Sequence, residues 1–358
     1  MEATPSSVGM LHMFTHPVFL VRDGIIIAAN QPALQLQITE NSSVYDLLLT
    51  GQDEYRSFNG GSLSLSLQVE QSKMIAAVIH SQECDVFHLL PDTADDQLQA
   101  LSVASQNLRE PLSNIFALSG QLLSDKAENM TPRKEEQLAQ YNKNLLQLLR
   151  TVGNMSDAAT YTTRTRGMET LDLLGVFAEA VYAAQELFAQ GGRTLTFDSC
   201  DGHYYGLADR DMLERTVFNL LSNAFKYSPA DSAVAVKLLC NEKRLQFSVE
   251  NTCSNFSSEQ LGTLFFRYRR VPSVQDGTSG LGLGIALVQS AAAAHSGTLL
   301  LALPQQDRVR FTLTIPLQTD KTGTLRSPAM RIDYAGGHDH ALLELSDVLP
   351  TTIYKNMD

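Results

Sequence analysis

The chain lacks the long apolar runs and the leader segment that would tie it to a membrane. Charges or glycines interrupt each apolar run before it reaches the length of about eighteen residues that a transmembrane helix needs. No basic stretch followed by an apolar block opens the sequence, as it would in a secretory signal. These absences predict a cytoplasmic protein with no membrane span.

Clusters of basic residues and cysteine motifs are also scarce. The net charge is −12 and the pI is about 5.1. Because nucleic acid phosphates require clustered Lys and Arg, we expect no nucleic acid partner. The four cysteines stand far apart, without a CxxC pair or a histidine at metal-ligand spacing, so neither a zinc site nor a disulfide framework is indicated.

The length of 358 residues and the apolar share of 44% suit an α+β multidomain protein. Residues 10–95 have the pattern of a small α+β sensor domain. Apolar runs at 17–21 and 25–29 flank Asp23-Gly24, which is a strong signal for a hairpin turn. A short helix and three strands are then expected at residues 31–36, 63–69, 74–79 and 84–90. In the strand at 63–69, Leu or Val alternates with Ser or Gln, the period of a half-buried strand. This order resembles a PAS domain.

Residues 96–165 change to helical spacing and predict a two-helix hairpin. In the first helix Leu101, Leu108, Ile115 and Leu122 recur every seven residues. Thr131-Pro132 is expected to open the second helix. Its apolar stripe is Leu138, Tyr141, Leu145, Leu148, Val152, Met155 and Ala159. An apolar stripe this regular predicts that two hairpins pair into a dimeric four-helix bundle. Two helices packed on one monomer is the alternative.

Residues 168–318 mix helix and strand signals and predict a layered α/β sandwich. Helices are expected at 171–189, 209–226 and 284–295, and strands at 194–197, 233–239, 244–249, 298–303 and 309–315. The last residues, 319–358, show no obvious core and are expected to form a flexible or docking tail.

Two polar segments of this sandwich are suited to bind a metal and phosphate. Asn219 and Asn223 lie four residues apart on one predicted helix, with Lys226 and Tyr227 at its end. Amide oxygens are hard ligands for Mg²⁺, and a lysine beside them suits phosphate. Further on, Gly280, Gly282 and Gly284 precede an apolar helix, where backbone amides cradle phosphate. Each signal alone is weak, since a pair of asparagines on a helix is usually a solvated face.

In this order the two segments closely resemble the N box and the second glycine box of the histidine kinase ATPase superfamily. Residues 264–271, between them, resemble its phenylalanine box. The helical hairpin resembles the dimerisation and phosphotransfer domain of sensor histidine kinases. The resemblance therefore covers nearly the whole chain, and it implies an α/β sandwich of the histidine kinase ATPase type at 168–318.

The resemblance also assigns roles to residues. It implies ATP and Mg²⁺ as cofactors, with Asn223 as the metal ligand and Asn219 holding metal-bound water. Lys226 would meet phosphate and Tyr227 would stack near adenine. The triphosphate would be lined by Gly280, Gly282, Leu283 and Gly284.

The sequence departs from the family at the phosphoacceptor. The segment Ser105-Gln106-Asn107-Leu108-Arg109-Glu110-Pro111-Leu112 has Gln106 in place of the histidine and Asn107 in place of the following acid. Glu110 is the remaining acidic candidate. A carboxamide nitrogen is no nucleophile, because its lone pair is delocalised into the carbonyl, and Asn107 cannot accept a proton. Autophosphorylation at this position is therefore not expected.

The residues expected around adenine also differ from the family pattern. Asn251 stands where the family uses an aspartate, and a neutral amide accepts a hydrogen bond that is weaker by about 1 kcal/mol. Cys253 and Asn255 replace glycines that let the backbone approach the base. Nucleotide affinity is therefore expected to depend on the phosphate half of the site.

Three functions remain open at this point. The first is a two-component signalling protein that dimerises through its hairpin, as a homodimer or heterodimer, and acts on a response regulator or partner kinase without phosphorylating itself. The second is an active kinase that phosphorylates a histidine in a partner or elsewhere in the chain, such as His88 or His295. The third is a dimeric scaffold without catalysis.

Overall fold

The computed structural model describes residues 11, 13–81, 84–90, 112, 119, 132–160, 168–229, 231–253, 284–305, 307–317, 335 and 337–355. Several predictions fall outside these residues. They are the phosphoacceptor segment with Gln106, Asn107 and Glu110, most of the first hairpin helix, the phenylalanine box, Asn255, and Gly280, Gly282 and Leu283.

In the N-terminal unit, residues 11–90, the described residues that follow Leu11 form five strands and two short helices. They are β1 (Val18–Arg22), β2 (Ile25–Ala29), α1 (Gln31–Gln35), α2 (Gln52–Arg56), β3 (Ser62–Val69), β4 (Ser72–His80) and β5 (Asp85–Leu90), with a 3₁₀ turn at Val44–Asp46. The predicted hairpin turn is confirmed, since Asp23 and Gly24 both have positive φ, 51° and 77°. Asn30 caps α1, because its side-chain oxygen accepts from Ala33 N at 3.1 Å.

The remaining elements follow a long helix, α3 (Pro132–Thr160). They are β6 (Glu169–Asp172), α4 (Leu173–Gln190), β7 (Leu195–Ser199), β8 (Tyr205–Ala208), α5 (Arg210–Tyr227), β9 (Val234–Cys240), β10 (Arg244–Thr252), α6 (Gly284–Ala294), β11 (Thr298–Gln305), β12 (Arg308–Pro316) and α7 (His340–Glu344), with a 3₁₀ turn at Thr351–Lys355. The helices and strands predicted for 168–318 are confirmed in type. The short pair β6 and β8 was missed, because four residues are too few to show a period.

Both units contribute to one ten-stranded sheet, in the order β2-β1-β5-β4-β3-β11-β12-β10-β9-β7. The units meet where β3 pairs antiparallel with β11, with Ser62 opposite Leu301 and Ser64 opposite Leu299. The prediction that β3 is half-buried was wrong, because Ser62, Ser64 and Ser66 are buried like the leucines between them. Helix α6 packs over this junction and covers the serine face.

Helices α4 and α5 pack together over β10 and form the main core with the sheet. Phe177 lies against Phe247 with ring centroids 4.9 Å apart, and Phe188 stacks on Phe225 at 3.5 Å. These aromatic contacts join the two helices and fix α4 to the strand beneath it. The face of α5 is therefore held at a fixed position over the sheet.

Helix α3 begins at Pro132, as predicted, but its buried face differs from the predicted stripe. Tyr141 and Leu148 of the stripe are 40% and 45% exposed. The buried face instead includes Asn142, Leu146 and Arg150. It packs against residues 337–355, which we call the C-terminal segment.

The prediction that the chain after residue 318 forms no core was wrong for the C-terminal segment. Leu343, Leu345, Leu349 and Tyr354 are buried, and Tyr354 has no exposed surface. Their spacing is irregular, because the segment fills the space between α3, α4 and α5. In the part of the chain that the structure describes, each helix is too short or too polar to cross a lipid bilayer.

Candidate functional site

Helix α5 carries the paired asparagines. Asp209 caps it, since Asp209 Oδ1 accepts from Met212 N at 3.1 Å. Asn219 lies on the buried side and is 2% exposed, and Asn223, one turn later, is half-buried. The helix therefore places both amides on one side, with the amide of Asn219 beneath the protein surface and the amide of Asn223 at the surface.

Gly284, the first residue of α6, lies directly against both amides. A Cβ atom at Gly284 would come within 3.1 Å of Asn219 Oδ1 and 3.6 Å of Asn223 Nδ2. Any larger residue would displace the amide of Asn219, which explains a glycine at this position. The backbone N–H groups at the start of a helix attract anions, and this helix is eleven residues long. The structure thus brings together two amides and a helix N-terminus, which suit a metal ion and phosphate respectively.

Lys226 and Tyr227 lie at the C-terminal end of α5, one turn beyond Asn223. The Lys226 ammonium is 5.8 Å from the centroid of the Tyr227 ring, and Tyr227 is 49% exposed. A lysine three residues from Asn223 lies on the same side of the helix. An exposed aromatic ring is available for stacking.

Asn251 lies near the end of β10, the strand over which α5 packs, and is 4% exposed. Its side-chain nitrogen donates to Thr252 O at 3.0 Å, which leaves the side-chain oxygen as the acceptor. Cys253 follows at the edge of the core. Cys253 N donates to Asp307 O at 2.8 Å, and partial burial raises the pKa of the thiol.

The nitrogen and the oxygen of the Asn219 side-chain amide both form hydrogen bonds, and the oxygen accepts from a residue outside the sandwich. Asn219 Nδ2 donates to Arg215 O at 2.9 Å. Asn219 Oδ1 accepts from Arg150 Nη2 at 3.4 Å, and Arg150 belongs to α3. A residue of the predicted hairpin therefore reaches the proposed metal and phosphate site.

A buried ion network surrounds this contact. Glu344 of α7 has no exposed surface. Its two carboxylate oxygens pair with two helices, Oε2 with Arg150 Nε of α3 at 3.3 Å and Oε1 with Arg215 Nε of α5 at 2.9 Å. Arg150 Nη1 also pairs with Asp347 Oδ2 at 2.6 Å, and Arg215 Nη1 pairs with Asp157 of α3.

Sequence reasoning missed Arg150, Arg215, Glu344 and Asp347. Arg150 and Glu344 are 194 residues apart. No local pattern predicts that two such charges meet, because their pairing depends on tertiary packing alone. The only available signal was indirect, a charged residue at the edge of each apolar stripe.

Comparison with known proteins identifies the domain that contains the asparagines and the glycine. Residues 208–319 match the family model described as Histidine kinase-, DNA gyrase B-, and HSP90-like ATPase. Sensor histidine kinase CusS from Escherichia coli is 27% identical over 263 residues, which cover 66% of this chain and 54% of that protein. The chain therefore contains a domain of this ATPase family and is similar to sensor histidine kinases.

Two further relatives show how much of the chain is shared. Sensor histidine kinase Hik2 from Thermosynechococcus vestitus is 25% identical over 278 residues, 76% of this chain and 72% of that protein. Histidine kinase P4 from Formosa agariphila is 25% identical over 226 residues, 62% of this chain and 16% of that protein. The chain thus spans only part of the length of these relatives. The residues matched by the ATPase family model include Asn219, Asn223, Asn251 and Gly284.

His88 and His295, the two alternative phosphoacceptors, are each 5% exposed. His295 Nδ1 donates to Ala291 O at 2.7 Å, its Nε2 accepts from Asp209 N at 3.1 Å, and burial lowers its pKa. His88 Nδ1 lies 3.1 Å from His16 Nε2, and burial lowers the pKa of His88 to about 3. Their burial weighs against either one as an acceptor.

Proposed function

We propose that this protein is a sensor histidine kinase family member that binds Mg²⁺-ATP between α5 and α6 and signals in a two-component system without phosphorylating its own hairpin at position 106. The observation that carries the proposal is the convergence of Asn219, Asn223 and Gly284. These three residues occupy the positions at which the N box and second glycine box of the family bind a magnesium triphosphate.

The chemistry of the donors fits this group. An amide oxygen at Asn223 is a hard ligand that suits Mg²⁺, and it is half-buried, so it is open to a ligand from solvent. The N-terminus of α6 and the ammonium of Lys226 offer positive charge to phosphate oxygens. Bound Mg²⁺ would neutralise part of the triphosphate charge. Tyr227 and the side-chain oxygen of Asn251 are the proposed partners of the adenine ring and its amino group.

Loss of self-phosphorylation follows from the residues at the acceptor. Attack on the γ-phosphate requires a free nitrogen lone pair, which His has and Gln106 lacks. Asn107 likewise offers no carboxylate to take the proton. The proposed role of the nucleotide is therefore to set the conformation of the protein, which a response regulator or a partner kinase then recognises.

Two features support the proposed organisation of the chain. The N-terminal unit has an antiparallel sheet in the order β2-β1-β5-β4-β3 with short helices between β2 and β3, which favours a PAS-like sensor. On α3, Tyr141 and Leu148 are exposed and seven residues apart. An exposed apolar pair at this spacing favours a second hairpin as partner, in a homodimer or heterodimer.

Calorimetric titration with Mg²⁺-ATP tests the binding site. We expect saturable heat with the wild type and at least tenfold weaker binding for Asn223→Ala, since a lost metal ligand costs about 1.4 kcal/mol or more. Asn144→Ala is the matched control, because Asn144 is an exposed asparagine on helix α3. No heat from the wild type at millimolar nucleotide would contradict the proposal and favour a scaffold.

Radiolabelled ATP tests the acceptor. The wild type is expected to gain no acid-labile phosphate, whereas the double variant Gln106→His, Asn107→Glu is expected to become labelled if the nucleotide site is intact. Label on the wild type, mapped to a histidine, would contradict the proposed loss of autophosphorylation.

A further inference from the structure

The C-terminal segment is bonded to α3 along almost two turns of polar side chains. Asn142 Nδ2 donates to Tyr354 O at 3.1 Å, and Gln147 Nε2 donates to Ser346 O at 3.1 Å. Lys143 Nζ, between them, donates to Leu349 O. The segment is therefore held by side chains of α3 that bond to its backbone.

The same segment is bonded to α5. His340 Nδ1 lies 3.0 Å from Glu214 Oε2, at the N-terminal half of α5. Glu344 then joins the guanidinium groups of Arg150 and Arg215, so that a single carboxylate links α3 to α5. In this arrangement the C-terminal segment fixes the nucleotide-binding sandwich against α3.

The consequence for the proposed metal site falls on Asn219. The Arg150 guanidinium is oriented by Glu344 and Asp347 and donates to Asn219 Oδ1. An amide oxygen that accepts from a guanidinium is less available to accept from metal-bound water. The described network contains one more carboxylate than guanidinium groups, and this net negative charge disfavours a magnesium nucleotide, which is itself negatively charged.

We propose that the C-terminal segment is an autoinhibitory latch that opposes binding of a magnesium nucleotide. Glu344 and Asp347 hold Arg150 against Asn219, and release of the segment frees the amide and separates α3 from α5. This inference rests on the proposed nucleotide site. Because coupling between two sites is reciprocal, a bound magnesium nucleotide must in turn weaken the attachment of the segment.

Two variants and one control test the latch by calorimetry with Mg²⁺ and a non-hydrolysable ATP analogue. Glu344→Gln and Asp347→Asn are each expected to bind the magnesium nucleotide about tenfold more tightly than the wild type, within the range of typical couplings between sites. Tighter binding is not the result of simple structural damage. Glu179→Gln removes a carboxylate from an exposed pair with Arg210 and is expected to bind like the wild type.

Asp347→Asn is expected to fold even if Glu344→Gln does not, because the Asp347 side chain is 23% exposed whereas that of Glu344 is fully buried. Amide hydrogen exchange on the wild type gives a second readout that needs no variant. The amides of residues 340–354 are expected to exchange about tenfold faster when the site is saturated with the magnesium nucleotide.

The outcomes separate the latch from the nucleotide site. Equal affinity of the wild type and both variants, with unchanged exchange in residues 340–354, would overturn the latch while leaving the nucleotide site in place. Measurable binding by the wild type, with both variants binding about tenfold more tightly, would support the latch. Failure of all four proteins to bind would instead refute the nucleotide site, and the latch with it.

Discussion

The α/β sandwich has two junctions with the rest of the chain, and they are built from different forces. On the strand side, β11 meets β3 through backbone pairing, supplemented by Lys73 Nζ donating to Ala293 O at 2.6 Å and by an ion pair of Arg244 Nη1 with Glu54 Oε1 at 2.5 Å. On the helix side, α5 meets α3 and the C-terminal segment through charges removed from water.

This difference indicates which junction of the molecule is able to change its conformation. Paired strands have one register, and a slip of one residue would turn every side chain to the wrong face. Buried ion pairs, in contrast, lose much of their net value to desolvation, so a second arrangement with the charges in water lies close in free energy. The strand side is therefore the fixed support, and the helix side is the part that a ligand or signal shifts.

The helix side should show the largest response to a single substitution. Glu344→Gln removes the one carboxylate that both buried guanidinium groups contact, and breaking a buried ion pair costs about 3–5 kcal/mol. Urea denaturation should show a loss of free energy of unfolding in this range. The control Glu179→Gln should stay within about 0.5 kcal/mol of the wild type, since exposed pairs contribute little. A change below about 1 kcal/mol for Glu344→Gln would mean that the network does not stabilise the junction.

A substitution of Gly61, just before β3, should disrupt the strand side most. Gly61 has φ +87°, and a Cβ atom there would collide with the backbone oxygen of Leu301 in β11. Gly61→Ala should destabilise the protein by about 3 kcal/mol, because backbone strain and the collision add. Amides of 299–301 should lose protection from hydrogen exchange.

Gly60 provides a matched control one residue earlier. A Cβ atom there would meet no atom within 4 Å. Gly60→Ala should therefore change the free energy of unfolding by no more than about 0.5 kcal/mol. Equal effects of the two alanine substitutions would show that β3 and β11 do not pair as described.

These junctions also show what the sequence predicts and what it does not. The shared face of Asn219 and Asn223 follows from helical spacing, which is local, whereas their meeting with Gly284 was predicted only through the family resemblance. The pairing of β3 with β11 joins residues more than 230 positions apart, and Glu344 meets Arg150 and Arg215 only through packing. Serines at alternate positions of β3 predict a solvent-exposed face. They are nevertheless buried, because a hydroxyl group is small enough to lie under α6.

Mild acid should weaken the strand side through His295, which lies at the end of α6 near Lys73. Burial lowers the pKa of His295 in the folded state, so the unfolded chain binds more protons as the pH falls below its ordinary value of 6.5. The stability that depends on neutral His295 is thus complete above pH 6.5 and is lost as the pH falls toward the lowered pKa.

This histidine can be separated from other titrating groups by His295→Gln. Between pH 6.5 and 5, the fall in stability with pH should be less steep in this variant, by at most about 1.4 kcal/mol per pH unit. The titration of His88, which has the same sign, is present in both proteins and cancels in the comparison. Identical slopes for the two proteins would show that His295 does not titrate in this window.

Gly284→Ala should have the smallest effect on stability while still altering the nucleotide site. The added methyl group lies 3.1 Å from Asn219 Oδ1, so the amide must shift by a few tenths of an ångström. The higher helix propensity of alanine, worth up to about 1 kcal/mol, offsets this strain. We expect little change in melting temperature but about tenfold weaker binding of the magnesium nucleotide. Ser290→Ala on the same helix is the control, and unaltered affinity in Gly284→Ala would place the ligand away from α6.

A crystal structure of the wild type with Mg²⁺ and a non-hydrolysable ATP analogue would locate the proposed nucleotide site. We expect the metal about 2.1 Å from Asn223 Oδ1, with the triphosphate against the first turn of α6. A nucleotide bound elsewhere, with Asn223 in contact with neither metal nor phosphate, would contradict it.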